Sequence, residues 1–127
     1  MNCTGGISME RVYFSQHKGK RFLYVDMSKC DIKEFLEAIP KAKEIVKKQP
    51  EKSVLVFTDV TDAHFNSEVT EALKDYTKSN KPYVIASAVL GVTGIKQVVF
   101  NGIMRFTGRK LVMFDTKDQA LNWLVEQ

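Results

Sequence analysis

Between Ser53 and Val69 the chain reads SVLVFTDVTDAHFNSEV, which brings Thr58, Asp59, Thr61, Asp62, His64, Asn66 and Ser67 into one polar stretch after an apolar run. Paired carboxylates such as Asp59 and Asp62 divide acid and base roles when their environments differ, and His64 is the residue type that most often moves protons near neutral pH. No nucleophile with a base at interpretable spacing accompanies them, and Asx side chains that satisfy loop amides account for both acids. Asn66 and Ser67 are both preferred helix-capping types. A second candidate is GVTG at 91 to 94, where Gly91, Thr93 and Gly94 are placed to expose backbone amides as an anion nest. It lacks the Lys that a phosphate-binding loop requires. Cys3, Cys30, His17 and His64 show no close ligand pair, so neither a metal nor a cofactor is expected.

The elements that position these residues follow from the apolar pattern. Residues 11–15 and 21–26 are rich in aromatic and β-branched types around the turn HKGK, which predicts a hairpin. Asp31 with Glu34 three residues on is an Asp variant of the capping box, and Phe35, Leu36, Ile39, Ile45 and Val46 follow at helical spacing, with Pro40 expected to kink or split that helix. Val54 to Phe57 is an unalternated apolar strand, the mark of burial on both faces. A helix carrying Val69, Leu73 and Tyr76 comes next, then a buried strand over 83–90. A third helix over 93–106 ends near Gly108, a short strand covers 111–114, and a last helix carries Ala120, Leu121, Trp123 and Leu124. The order is β, β, α, β, α, β, α, β, α, without repeats. Strands linked by helices imply a parallel sheet, to which the hairpin adds an antiparallel strand. The loops at 58–67 and 91–94 both follow the carboxyl ends of parallel strands and are expected to share one edge.

In the third helix Ile95, Val99, Ile103 and Phe106 are expected to form the core stripe at about 100° per residue. Phe100 and Met104, at i and i+4, point to its side and form an exposed apolar patch flanked by Lys96, with Arg105, Arg109 and Lys110 nearby, unless the hairpin or the last helix covers them. Such a patch suits a protein partner, a homodimer contact or a peripheral membrane contact.

With 127 residues, 44% of them hydrophobic and 27% charged, the chain suits a single globular domain over 1–127. The formal charge of +4 is dispersed, and Lys41, Lys43, Lys47 and Lys48 recur at helical spacing with Glu44, so the basic excess reads as a solvated face and gives no ground for nucleic-acid binding. No apolar run reaches the ~18 residues that span a bilayer. Two cysteines without a preceding secretory signal make a reducing, cytoplasmic setting the expectation.

VLVFTDVTDAHFNSE at 54–68, KPYVIASAVLGVTGIKQVVFNGI at 81–103 and TGRKLVMFDTKDQALNWL at 107–124 together resemble the STAS fold of anti-sigma-factor antagonists. The similarity is to the divergent STAS-like group of small prokaryotic proteins sometimes described together with CRAL-TRIO lipid-binding domains. It implies an α/β domain with a mixed, mainly parallel sheet of about five strands and about four helices. It also implies a non-catalytic regulatory module that engages a protein partner or a small anionic or lipidic ligand at the loop after the central strand. The best-known members are switched by phosphorylation of a Ser at the following helix N-terminus, in a loop of the form D-x-S, several residues, then D-S-x-G. Asp59 and Thr61 match the opening. Ser67 is the corresponding phosphoacceptor candidate, with Asn66 in place of the acid and no glycine after it. A phosphate there gains from the helix dipole but meets Glu68. Two alternatives stand beside the module: a small hydrolase using Asp59, Asp62 and His64, and an apolar-ligand carrier.

Overall fold

The computed structural model describes residues 11–127. Strands β1 (Val12–His17) and β2 (Lys20–Asp26) form the hairpin, turned by Lys18 and Gly19. Both turn residues have positive φ, 50° and 81°, the two-residue geometry that matches the twist of antiparallel strands. There follow α1 (Ile32–Lys47), β3 (Val54–Asp59), α2 (Ser67–Ser79), β4 (Val84–Leu90), α3 (Ile95–Thr107), β5 (Val112–Phe114) and α4 (Lys117–Leu124). The sheet runs β1-β2-β3-β4-β5, antiparallel in its first pair and parallel throughout the rest.

The sheet is covered unequally. Leu23, Val25, Val54, Val56 and Val89 point to the side packed by α1, α2 and α3, where Phe35, Ala42, Val69, Leu73, Phe100 and Ile103 complete the larger core. On the other side Phe22, Leu55, Phe57 and Ala88 meet α4, through Ala120, Leu121 and Leu124. Consecutive residues of β3 thus serve opposite cores, which is why Val54 to Phe57 lacks alternation. Each fully buried Phe or Leu contributes about 2 kcal/mol or more by leaving water.

The capping box at the start of α1 is present: the Asp31 carboxylate accepts from Glu34 N at 2.8 Å, and the Glu34 carboxylate accepts from Asp31 N at 3.0 Å. Pro40 lies inside this one helix, so of the kink or split expected from the sequence the split does not occur. Its ring is exposed while Phe35, Ala38, Ile39, Ala42 and Val46 are buried on either side of it, so tertiary packing holds both halves in one helix. No helix among the described residues is long and apolar enough to cross a membrane. Cys3 lies outside the described residues, and Cys30 is fully buried, with burial pushing its thiol up to about 11.

Candidate functional site

The carboxyl edge of the sheet is built from two matched loops. At the end of β3, Asp59 Oδ1 accepts from Thr61 N at 2.9 Å and from Thr61 Oγ1 at 2.6 Å. At the end of β2, Asp26 Oδ1 accepts from Ser28 N at 3.0 Å and from Ser28 Oγ at 2.6 Å. Asp26 and Asp59 are register partners. In both loops the next residue, Lys29 or Asp62, takes φ of +58°, and the one after it, Cys30 or Ala63, is buried and donates its amide back into the turn. The chain therefore carries a short local repeat, D-x-[S/T]-x-small, at 26–30 and 59–63. Asx chemistry explains it: the carboxylate replaces the strand partner that the departing backbone no longer has.

The loops are bonded to each other through Met27 N to Asp59 O at 2.8 Å, Lys29 N to Thr61 O at 2.8 Å and His64 N to Cys30 O at 2.9 Å. The GVTG turn joins the same edge. A Cβ on Gly91, whose φ is +89°, would lie 2.4 Å from Thr61 Oγ1 and 2.5 Å from Thr61 N. Thus Thr61, Asp59 and Gly91 come together, with Asp62, Thr93 and Gly94 around them. Thr93, Asp62 and His64 are exposed, and Gly94 starts α3 with no side-chain cap. Asn66 caps α2, its side chain accepting from Val69 N at 2.8 Å, so Ser67 is an exposed first helical residue.

The apolar patch expected at Phe100 and Met104 is not on the surface. Phe100 is 4% exposed and its ring lies 5.9 Å from that of Phe65. Met104 is half-buried, and its sulfur accepts from Leu111 N at 3.3 Å. Lys96 turns inward as well: Nζ donates to Val60 O at 2.9 Å, anchoring α3 to the β3 loop. Thr107, also buried, returns its hydroxyl to Ile103 O at 2.7 Å. The buried face is thereby rotated by roughly a quarter-turn from the one predicted. Ile95, Val98 and Phe106 stand outside at 75%, 66% and 61% exposure.

No family model matches the chain, and no curated protein matches its sequence. Among solved structures, an uncharacterized protein of the DUF3478 family from Shewanella loihica PV-4, described as having a SpoIIAA-like fold, superposes with a TM-score of 0.68. The alignment covers 89% of this chain and 91% of that one at 13% identity. This chain has the SpoIIAA-like, that is STAS-like, fold.

Inside this SpoIIAA-like domain lies a polar cluster that sequence reasoning missed. Arg109, which follows the left-handed Gly108 at the end of α3, sends its guanidinium inward. Its Nη1 donates to Thr77 O at 2.9 Å and to the Asn80 side-chain oxygen, and Nη2 donates to Ser87 Oγ at 3.0 Å. Thr77, Asn80, Ser87 and Thr107 are the buried polar residues among those described, and each bonds to Arg109. Beside them the Tyr76 hydroxyl is buried without a hydrogen-bond partner among the described residues; Asn80 adjoins it without closing a bond. Burial pushes this phenol up to about 12, against the smaller opposing pulls of Asn80 and Arg109. Burial also draws Arg109 below its ordinary value. Tyr76, Thr77, Asn80, Ser87 and Arg109 line a cavity of about 30 Å³ that Thr58 reaches from β3. The one sequence signal was Ser87, a hydroxyl inside the apolar run YVIASAVL.

Proposed function

We propose that this chain is a non-catalytic binding module that docks a protein partner on the exposed face of α3 and the adjoining 58–67 and 91–94 edge. The observation that carries this reading is the stripe of Ile95, Val98 and Phe106, continued by the exposed Gly102, which begins directly after the turn that seats Gly91 against Thr61. Lys74 and Lys78 of α2 hold their ammonium groups 5.1 and 5.7 Å from the Phe106 ring centroid. The complementary surface therefore has an apolar centre and an acidic rim. A second copy of this chain would set lysines against lysines, which favours a different protein over a homodimer. A binding role also agrees with the edge chemistry: Asp59 Oδ1 is committed to Thr61, and no bond links His64 to a hydroxyl among the described residues. The cavity beside Arg109, about 30 Å³, is far smaller than the pockets of apolar-ligand carriers, which run to about 300 Å³ or more.

Val98→Glu combined with Phe106→Glu tests the reading. The wild type is expected to run as a monomer in light scattering and to hold one partner stoichiometrically after cross-linking in native cells. The double variant is expected to lose that partner while its circular dichroism and thermal midpoint stay unchanged. Retention of the same partner at the same affinity by the double variant would overturn the proposal.

A further inference from the structure

The Arg109 cluster is independent of the docking face and has features of a site built for a ligand. Arg109 is half-buried, and a cation drawn partly out of water ordinarily sits beside a carboxylate, because an uncompensated charge inside a protein is costly. Arg109 forms no ion pair among the described residues, and the acceptors of its Nη atoms are a carbonyl, an amide oxygen and a hydroxyl, all neutral. Thr77 and Asn80 lie at the C-terminal end of α2, whose dipole supplies about half an elementary charge of compensation. Arg109 also lines the cavity.

The neighbouring hydroxyls are set to donate. Tyr76 has a buried O–H without an acceptor. Ser87 uses its oxygen to accept from Arg109, which leaves its proton free to donate. Thr58 makes no side-chain hydrogen bond among the described residues and reaches the same space. Arg109 and the hydroxyl-bearing Thr58, Tyr76 and Ser87 thus line one cavity, whose other walls are mostly apolar and which has no acidic side chain in its lining.

We propose that this cavity binds a planar monovalent oxyanion, the chemical class of formate, nitrate or a small carboxylate, through Arg109 with Tyr76 and Ser87 as hydroxyl donors. The void of about 30 Å³ is enough for about two waters, hence for an ion of about three or four heavy atoms, and too small for a phosphate ester. The planar fork of Arg matches a carboxylate better than a point charge does.

The test uses the full chain, sodium formate and sodium nitrate as probes, and sodium sulfate as the balancing salt at constant ionic strength. In proton–nitrogen correlation spectra, the Arg109 Nε–Hε signal and the Ser87 amide are expected to shift saturably with formate and with nitrate. Sulfate, tetrahedral and doubly charged, is expected to leave them in place. Tyr76→Phe is expected to fold with an unchanged or higher thermal midpoint without anion, since it removes an unpartnered hydroxyl, and to weaken formate binding about tenfold. Arg109→Lys, which keeps the charge and loses the fork, is expected to abolish saturation at the Ser87 amide. The proposal is overturned by unsaturable shifts, by an equal response to sulfate, or by wild-type formate affinity in Tyr76→Phe.

Discussion

Asn66 and Ser67 stand side by side at the start of α2, yet only one of them holds the helix. The Asn66 side chain takes the Val69 amide, and Ser67 makes no side-chain bond among the described residues. Asn66→Ala is expected to lower stability by about 1 kcal/mol in urea unfolding, whereas Ser67→Ala stays within about 0.5 kcal/mol. Tyr76 yields a pH signature. Its phenol is held neutral by burial, with a value of about 12 in place of 10.0. The unfolded chain therefore ionises first, so the contribution is whole below about pH 10 and is lost as pH climbs toward 12. The gap corresponds to roughly 3 kcal/mol, and Tyr76→Phe is expected to flatten the stability curve over that window in denaturant melts. Asx and capping residues near 58–67 were legible because their types have few local uses. Arg109 was not, because a basic residue after a helix-ending glycine reads as a solvated C-terminal charge and only the folded chain turns it inward.

The elements differ in how well their faces could be read. β3 was plain, since Val54 to Phe57 are all apolar and all buried, each alternate pair against a different core. α1 was plain for another reason: its capping box and apolar stripe agree, and packing overrides Pro40. α3 was ambiguous. Ile95, Val98, Val99, Phe100, Ile103, Met104 and Phe106 spread apolar side chains around most of its circumference, so periodicity alone selects no unique inner face. Lys96, which looks outward by type, ties the inner face to the β3 loop by bonding Val60 O, and Thr107 is accommodated on that face by returning its hydroxyl to Ile103 O. The start of α3 is fixed by Gly91. Gly91→Ala combines an unfavourable positive φ with a Cβ driven into the Thr61 backbone, and a loss of about 2–4 kcal/mol in urea unfolding is expected. The same substitution at Gly102, where no atom lies within 4 Å of the added Cβ, is expected to raise stability by up to about 1 kcal/mol.

At the scale of the whole molecule, the strand order β1-β2-β3-β4-β5 never reverses among the described residues. The expectation that ligands gather at the carboxyl edge came from sheets whose order does reverse, where diverging connections open a crevice. Here the connections march in one direction and their loops close on one another. Fold class, element order and the placing of both polar loops on one edge were therefore accessible from pattern, while the shape of that edge depended on topology. The mutual bonding of the loops has a consequence on the time axis. Met27, Lys29 and His64 donate across to Asp59, Thr61 and Cys30, and Val60 donates to Leu90, so these turns continue the sheet's cross-links past its last regular pair. In hydrogen–deuterium exchange those four amides are expected to open together, at a rate near that of the β3 strand amides and far below that of the exposed Lys18–Gly19 turn. Removing the Thr61 hydroxyl bond to Asp59 with Thr61→Val is expected to speed all four at once. Two turns that look like separate surface loops along the chain would then behave as one stiff plate.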